Sequence, residues 1–207
     1  MVVVRRADAV AAALILTLAV TAGAATGCSP EVGSGTYHCG PDRSCPDDLR
    51  CDEVSTLCVF PELVESFDCG ENGNVHEDDD APARAFDVGV AGCGQATVQQ
   101  SGCIDNAGDV DYLRLTTPVG CDGTLSVTAR APVAFMPVTV EIVADDGTTV
   151  LGDGTVCEDL DDQGREWTCA TAPVTGATGY LVRVRGAGVG QDCDGACAYN
   201  RYTLAID

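Results

Sequence analysis

Thirteen cysteines in 207 residues constrain this chain more than any other feature. Cys28 stands alone near the N-terminus, and Cys39, Cys45, Cys51 and Cys58 crowd into twenty residues. Eight more, Cys69, Cys93, Cys103, Cys121, Cys157, Cys169, Cys193 and Cys197, run through the rest. An odd count implies a free thiol or an intermolecular bond, unless one cysteine has another use. No C-x-x-C pair occurs and there are only two histidines, which argues against zinc. Twelve cysteines can form six disulfides, and disulfides require an oxidising compartment.

The N-terminus supplies a route to one. Arg5 and Arg6 precede an uncharged stretch, 9–26, whose most apolar part is Leu14-Ile15-Leu16 and Leu18. A basic start, an apolar middle and a small-residue exit make a secretory signal. Ala25-Thr26-Gly27-Cys28 resembles the lipobox of bacterial lipoproteins, in which the cysteine is acylated and becomes the mature N-terminus. The resemblance implies a signal peptide over 1–27 and attachment to the bilayer through acylated Cys28. Ser29 after the cysteine implies the outer membrane. Acylation of Cys28 also accounts for the odd cysteine. Two other addresses fit: cleavage after Ala22-Gly23-Ala24, which releases a soluble protein, and an uncleaved anchor, for which an uncharged run of about 18 residues is at the lower limit.

Net charge is -21, and no lysine occurs anywhere. Such a chain repels phosphate backbones, so no nucleic-acid partner is expected. Residues 28–36 (CSPEVGSGT) read as a flexible tether, and 37–60 as a small disulfide module too short to bury much of a core. Its spacing, C-x5-C-x5-C-x6-C with a Cys45-Pro46 step, resembles the small cysteine-rich modules of bacterial secreted proteins. Four cysteines allow three pairings, of which Cys39–Cys51 with Cys45–Cys58 is preferred. Residues 61–80 read as an acidic linker ending in Glu77-Asp78-Asp79-Asp80.

From 81 to 207 the pattern becomes short alternating runs separated by Gly, Pro and Asp. Leu113/Leu115, Leu125/Val127/Ala129, Val138/Val140/Ile142, Tyr180/Val182/Val184 and Tyr202/Leu204/Ile206 each mark one face of a strand. With Ala96–Gln100, Thr148–Leu151 and Glu166–Ala170 they give about eight strands, an all-β, jelly-roll-like sandwich. Trp167 and Cys169 share a phase, and Trp167, Tyr180 and Tyr202 are expected to point inward. Cys157 and Cys169 flank an acidic loop and are expected to bridge it. Cys193 and Cys197 are close enough to pair across a turn.

Gly108-Asp109-Val110-Asp111-Tyr112-Leu113-Arg114-Leu115, preceded by Asn74 and Asp78-Asp79-Asp80 and followed by Gly123-Thr124-Leu125-Ser126-Val127 and Gly179-Tyr180-Leu181-Val182-Arg183-Val184, resembles the bacterial pre-peptidase C-terminal domain over about residues 70–207. The resemblance implies a β-sandwich, and in some members calcium held by the linker and this strand entry. Carried onto this sequence, the calcium ligands are Asp78, Asp80, Asp109 and Asp111. Calcium suits clustered carboxylates, because it takes six to eight hard oxygens. The alternative is a solvated acidic face, and the loops Glu158–Asp162 and Asp192–Gly195 are less well placed. No G-x-S-x-G occurs, His38 lies inside the cysteine module and His76 in the linker, and the cysteines are accounted for by pairing and acylation, so no enzyme is expected. The chain reads as a lipid-anchored, non-catalytic binding or adhesion protein of the cell envelope, with an unidentified envelope or extracellular protein as partner. The alternatives are a purely structural envelope lipoprotein and an accessory or inhibitor of a secreted peptidase.

Overall fold

Alternation of side chains decides the architecture. The computed structural model describes residues 32–67, 69, 76, 78–105, 108–158, 161–186 and 200–207. The expectations for residues 1–27, for acylation of Cys28, for a Cys193–Cys197 bond and for the loop at 192–195 lie outside these residues. The strands in chain order are β1 (Arg50–Asp52), β2 (Leu57–Val59), β3 (Phe86–Val90), β4 (Val98–Ile104), β5 (Val110–Thr116), β6 (Asp122–Pro132), β7 (Val138–Ala144), β8 (Val150–Asp153), β9 (Thr155–Glu158), β10 (Arg165–Thr175), β11 (Gly179–Gly186) and β12 (Asn200–Ile206). Strands β1 and β2 form the hairpin of the cysteine module. The other ten form two sheets, ordered β4-β12-β6-β10-β9 and β3-β5-β11-β7-β8. All pairings in them are antiparallel except that of β3, which runs parallel to β5.

The sheets pack face to face over one core. Leu125, Val127 and Ala129 of β6 and Leu204 and Ile206 of β12 meet Leu115 of β5, Val140 and Ile142 of β7 and Val182 and Val184 of β11, all fully buried. Burying each Leu, Ile or Val side chain contributes about 1.5–3 kcal/mol. The apolar phase seen in the sequence is therefore the core phase in these strands. Edge strands β3 and β9 bring the strands of the sandwich to ten, where about eight were expected.

Trp167 departs from expectation. The inward residues of β10 are Thr168, Ala170, Ala172 and Val174, so Trp167 and Cys169 face outward. The interior opposite β10 takes small side chains, and a run of Ala and Val satisfies it. Trp167 lies on the outer face under the Arg130 guanidinium, 4.1 Å from the ring centre.

The cysteine module is fastened to the outer side of the first sheet. Disulfides join Cys39–Cys51 and Cys45–Cys58 within it, Cys69–Cys103 between linker and β4, Cys93–Cys121 between loops, and Cys157–Cys169 on the outer face of β10. Cys39, Leu49, Cys51 and Cys58 pack on Ala134 and Phe135 of the loop after β6. Gly164 has φ +66°, and a Cβ there would lie 2.6 Å from the His38 Cβ, so the glycine lets the sandwich touch the module. Residues 32–36 belong to the module and are not free tether: the Gly35 amide donates to the Cys58 carbonyl at 2.8 Å, and the Phe60 amide to the Ser34 hydroxyl at 3.2 Å.

Candidate functional site

Two places gather charged side chains at the ends and outer face of this scaffold. The first is the entry to β5. Asp109 and Asp111 are buried there, and a third carboxylate, Asp79, is buried with them. The Tyr112 amide donates to the Asp79 carbonyl, so the end of the linker runs along β5 before becoming β3. This pairing turns Asp79 toward the strand. Its neighbours Asp78 and Asp80 face outward, 3.9 and 3.8 Å from Arg84.

Tyr202 joins the group from the other sheet. Its ring passes over Gly102, where any Cβ would collide with it, and its hydroxyl donates to Asp111. Burial raises the phenol well above its ordinary value, and the charges of Asp111, Asp79 and Asp109 push it further up. The Asp105 amide donates to Asp109 at 2.7 Å. Of the four expected ligands the structure brings Asp109 and Asp111 together, and it puts Asp79 where Asp78 and Asp80 were expected. The carboxylates of Asp79, Asp109 and Asp111 are hard-oxygen donors of the kind calcium takes. Asp79 would hold it from the linker and Asp109 and Asp111 from the strand. Elsewhere among the described residues the sulfurs of Cys39, Cys45 and Cys58 lie within 4.8 Å of one another, but all three are in disulfides and cannot ligate.

The second place is a cleft of about 410 Å³ between the module and the first sheet. Its floor is a row of side chains set by strand register, in which Ser101 of β4 lies opposite Thr203 of β12, Thr203 opposite Arg130 of β6, and Arg130 opposite Trp167 of β10. His38 and Thr56 of the module and Phe67 of the linker close the other side. Arg165 and Arg201 stand at the walls. The chain has 32 carboxylates against 11 arginines, yet every charged residue among the described lining is basic.

The arginines differ in what they already hold. Asp161 accepts from Arg165 Nε at 2.7 Å and from the amides of Gln163 and Arg165. Burial opposes the charge on Asp161, but these hydrogen bonds outweigh it and lower its pKa. Arg201 donates to the carbonyls of Val54 and Glu53 and lies 4.8 Å from the Phe67 ring, tying module to sheet. Arg130 makes no ion pair with any described residue, and its buried Nε has no hydrogen-bond partner among them. The buried Nδ1 of His38 is in the same position.

No protein-family model matches the chain, and no curated protein matches it. Among solved structures it is similar to the pre-peptidase C-terminal domain of a collagenase from Bacillus anthracis, with 10% identity over 59% of this chain and 94% of that one, TM-score 0.40. It is also similar to PliG of Salmonella Typhimurium, a periplasmic inhibitor of g-type lysozyme, with 14% identity over 59% and 97% and TM-score 0.36. A third is a β-1,3-glucan-binding CBM6 from Bacillus halodurans, with 15% identity over 59% and 96% and TM-score 0.34. At these values the likeness says nothing about what this chain binds.

Arg130, His38, Arg201 and Asp79 do not stand out in the sequence reading. One signal for Arg130 was present. The core phase of Leu125, Val127 and Ala129 sends Ser126, Thr128 and Arg130 outward, and an outward Arg in a chain this short of cations merits a search for its partner.

Proposed function

We propose that this chain is a non-catalytic, extracytoplasmic binding protein, anchored through an acylated Cys28, that presents the cleft beneath its cysteine module to a ligand. The observation that carries the reading is the cleft itself: a preformed concave site lined by hydrogen-bonding and basic side chains in a chain dominated by carboxylates. The disulfides support an oxidising compartment. Calcium held by Asp79, Asp109 and Asp111 is part of the proposal. When bound, it would offset two of the three like charges and fasten the linker to β5.

The test places a photocrosslinking side chain at Ser101, in the cleft, and in a control at Val150, on the far edge of the other sheet. Both positions are exposed or partly so. In cells producing the full chain, a discrete adduct from position 101 and none from 150 is expected. Equal labelling from both positions, or none from 101, overturns the reading. The intact mass of membrane-extracted protein checks the anchor separately, because the proposal requires acyl mass on Cys28.

A further inference from the structure

The cleft combines one uncompensated cation with unused hydrogen-bonding side chains, and this combination specifies a ligand chemistry. Arg165 is neutralised by Asp161, and Arg201 is spent on main-chain carbonyls. Arg130 therefore supplies the one lining guanidinium held by neither a carboxylate nor a main-chain carbonyl among the described residues, so it is the cation left free to take an anion. Its Nε has lost water to burial and gained no partner among the described residues. A buried donor left in that state is costly unless an acceptor comes to it. One face of the guanidinium rests on Trp167, so acceptors must approach in its plane. A planar carboxylate does this, with two parallel hydrogen bonds.

The surroundings give the rest of the ligand. Thr203 and Ser101 lie beside Arg130 in the same row, and Gln163 stands at the wall. None of these three side chains has a hydrogen-bond partner among the described residues. Side chains that both donate and accept match hydroxyl groups, which do the same. A volume of about 410 Å³ suits one or two sugar rings. We propose that the cleft binds a sugar acid, free or within an anionic polysaccharide, with its carboxylate on Arg130 and its hydroxyls on Ser101, Thr203 and Gln163. This rests on the binding reading above and names its ligand class.

Trp167 is the only tryptophan in the chain and lies under Arg130, so its fluorescence reports on the site. The intact, oxidised chain is titrated with methyl glucuronide, methyl glucoside, a glucose sulfate ester and a short oligogalacturonide. The glucuronide is expected to change the emission and the glucoside not to, with a response that weakens as salt rises. Arg130→Gln should weaken binding ~10-fold or more, the scale of a lost charged hydrogen bond, whereas Arg114→Gln, on the other sheet, should leave it unchanged. Thr203→Val, which keeps the charge, should weaken it less and keeps the test open should Arg130→Gln fail to fold. Tighter binding of the oligogalacturonide assigns the site to a polysaccharide, and equal binding to a free sugar acid. Equal response to the glucoside, a stronger response to the sulfate ester, unchanged binding by Arg130→Gln, or no response to either acid overturns the assignment. Adducts at position 101 without a response to the acids sink the sugar acid alone, while loss of both sinks the binding reading as well.

Discussion

The two sheets share one architecture and differ in what their outer faces do with arginine. On the second sheet, Arg183 stands between Tyr112 and Glu141 in register, and the buried Glu141 carboxylate accepts from Arg183 at 2.6 Å and Arg185 at 3.1 Å. Arg114 pairs with Asp145, and Tyr112, Val143 and Leu181 pack into a small apolar cluster beside them. That face satisfies itself. On the first sheet Arg130 faces a space covered by a separate module, with no carboxylate beside it among the described residues. The same strand alternation thus produces a closed surface on one side and an open one on the other. What differs is whether an acidic residue lies opposite the arginine in the register.

The comparison breaks most easily at Glu141. Glu141→Gln strands Arg183 and should cost about 3 kcal/mol in denaturant unfolding, whereas Arg130→Gln should shift stability by less than about 1 kcal/mol. Equal losses would mean that Arg130 is as structurally committed as Glu141. Saturating calcium should stabilise the chain by about 2.7 kcal/mol at 100 times its dissociation constant, and Asp79→Asn or Asp109→Asn should remove the shift. The opposite result, a shift lost with Asp78→Asn and Asp80→Asn only, would return the site to the outward phase of the linker.

The cover of the open face should yield next. Gly164→Ala forces a left-handed backbone on alanine and drives its Cβ onto His38, so about 1 kcal/mol or more is expected. Faster hydrogen exchange in β1 and β2 but not in β7 or β11 would locate the loss at the module. Acid should act on the same module through Asp52, which accepts from the Ser55 amide and hydroxyl and from the Glu65 amide. Burial opposes its charge, but these bonds win and hold its pKa below the ordinary value. The unfolded chain therefore binds the proton more readily. The stability Asp52 adds is complete above its unfolded pKa of about 3.9 and disappears as pH falls through the lower folded value. Asp52→Asn should flatten that dependence in a pH series of melting curves. The smallest effect belongs to the exposed Arg114–Asp145 pair, where Arg114→Gln should cost less than about 1 kcal/mol.

What was legible in the sequence follows from range. Leu125/Val127/Ala129 and Tyr202/Leu204/Ile206 announce their faces locally, since burial on one side forces period two. Strand β3 has the same rhythm in Phe86, Val88 and Val90, but it is only five residues long, its register against β5 shifts between Asp87 and Gly89, and Val90 is exposed, so the signal is brief. The phase that Trp167 shares with Cys169 suggests burial, but the inward phase of β10 is that of Thr168, Ala170 and Ala172, which fit the space across the core. Three consecutive aspartates cannot reveal which one turns inward, because the Tyr112-to-Asp79 hydrogen bond makes that choice. The cleft was hidden for the plainest reason. His38 and Arg130 are far apart in the chain, and only the docking of the module brings them to one space.

The disulfide connectivity sets how the molecule answers a mechanical load. Cys69–Cys103 and Cys93–Cys121 close overlapping covalent loops, so a pull between residue 32 and Asp207 enters the first sheet at Cys103, runs back along most of β4 to Cys93 and crosses to Cys121, and its shortest covalent path leaves out β3 and β5. Those strands cannot be peeled or extended while the bonds last. In a force–extension trace the released length must fall short of that of a linear chain by the locked segments. An oxidised molecule held at one end against flow would keep its calcium-site strand, β5, shielded from direct tension, and reduction would expose it.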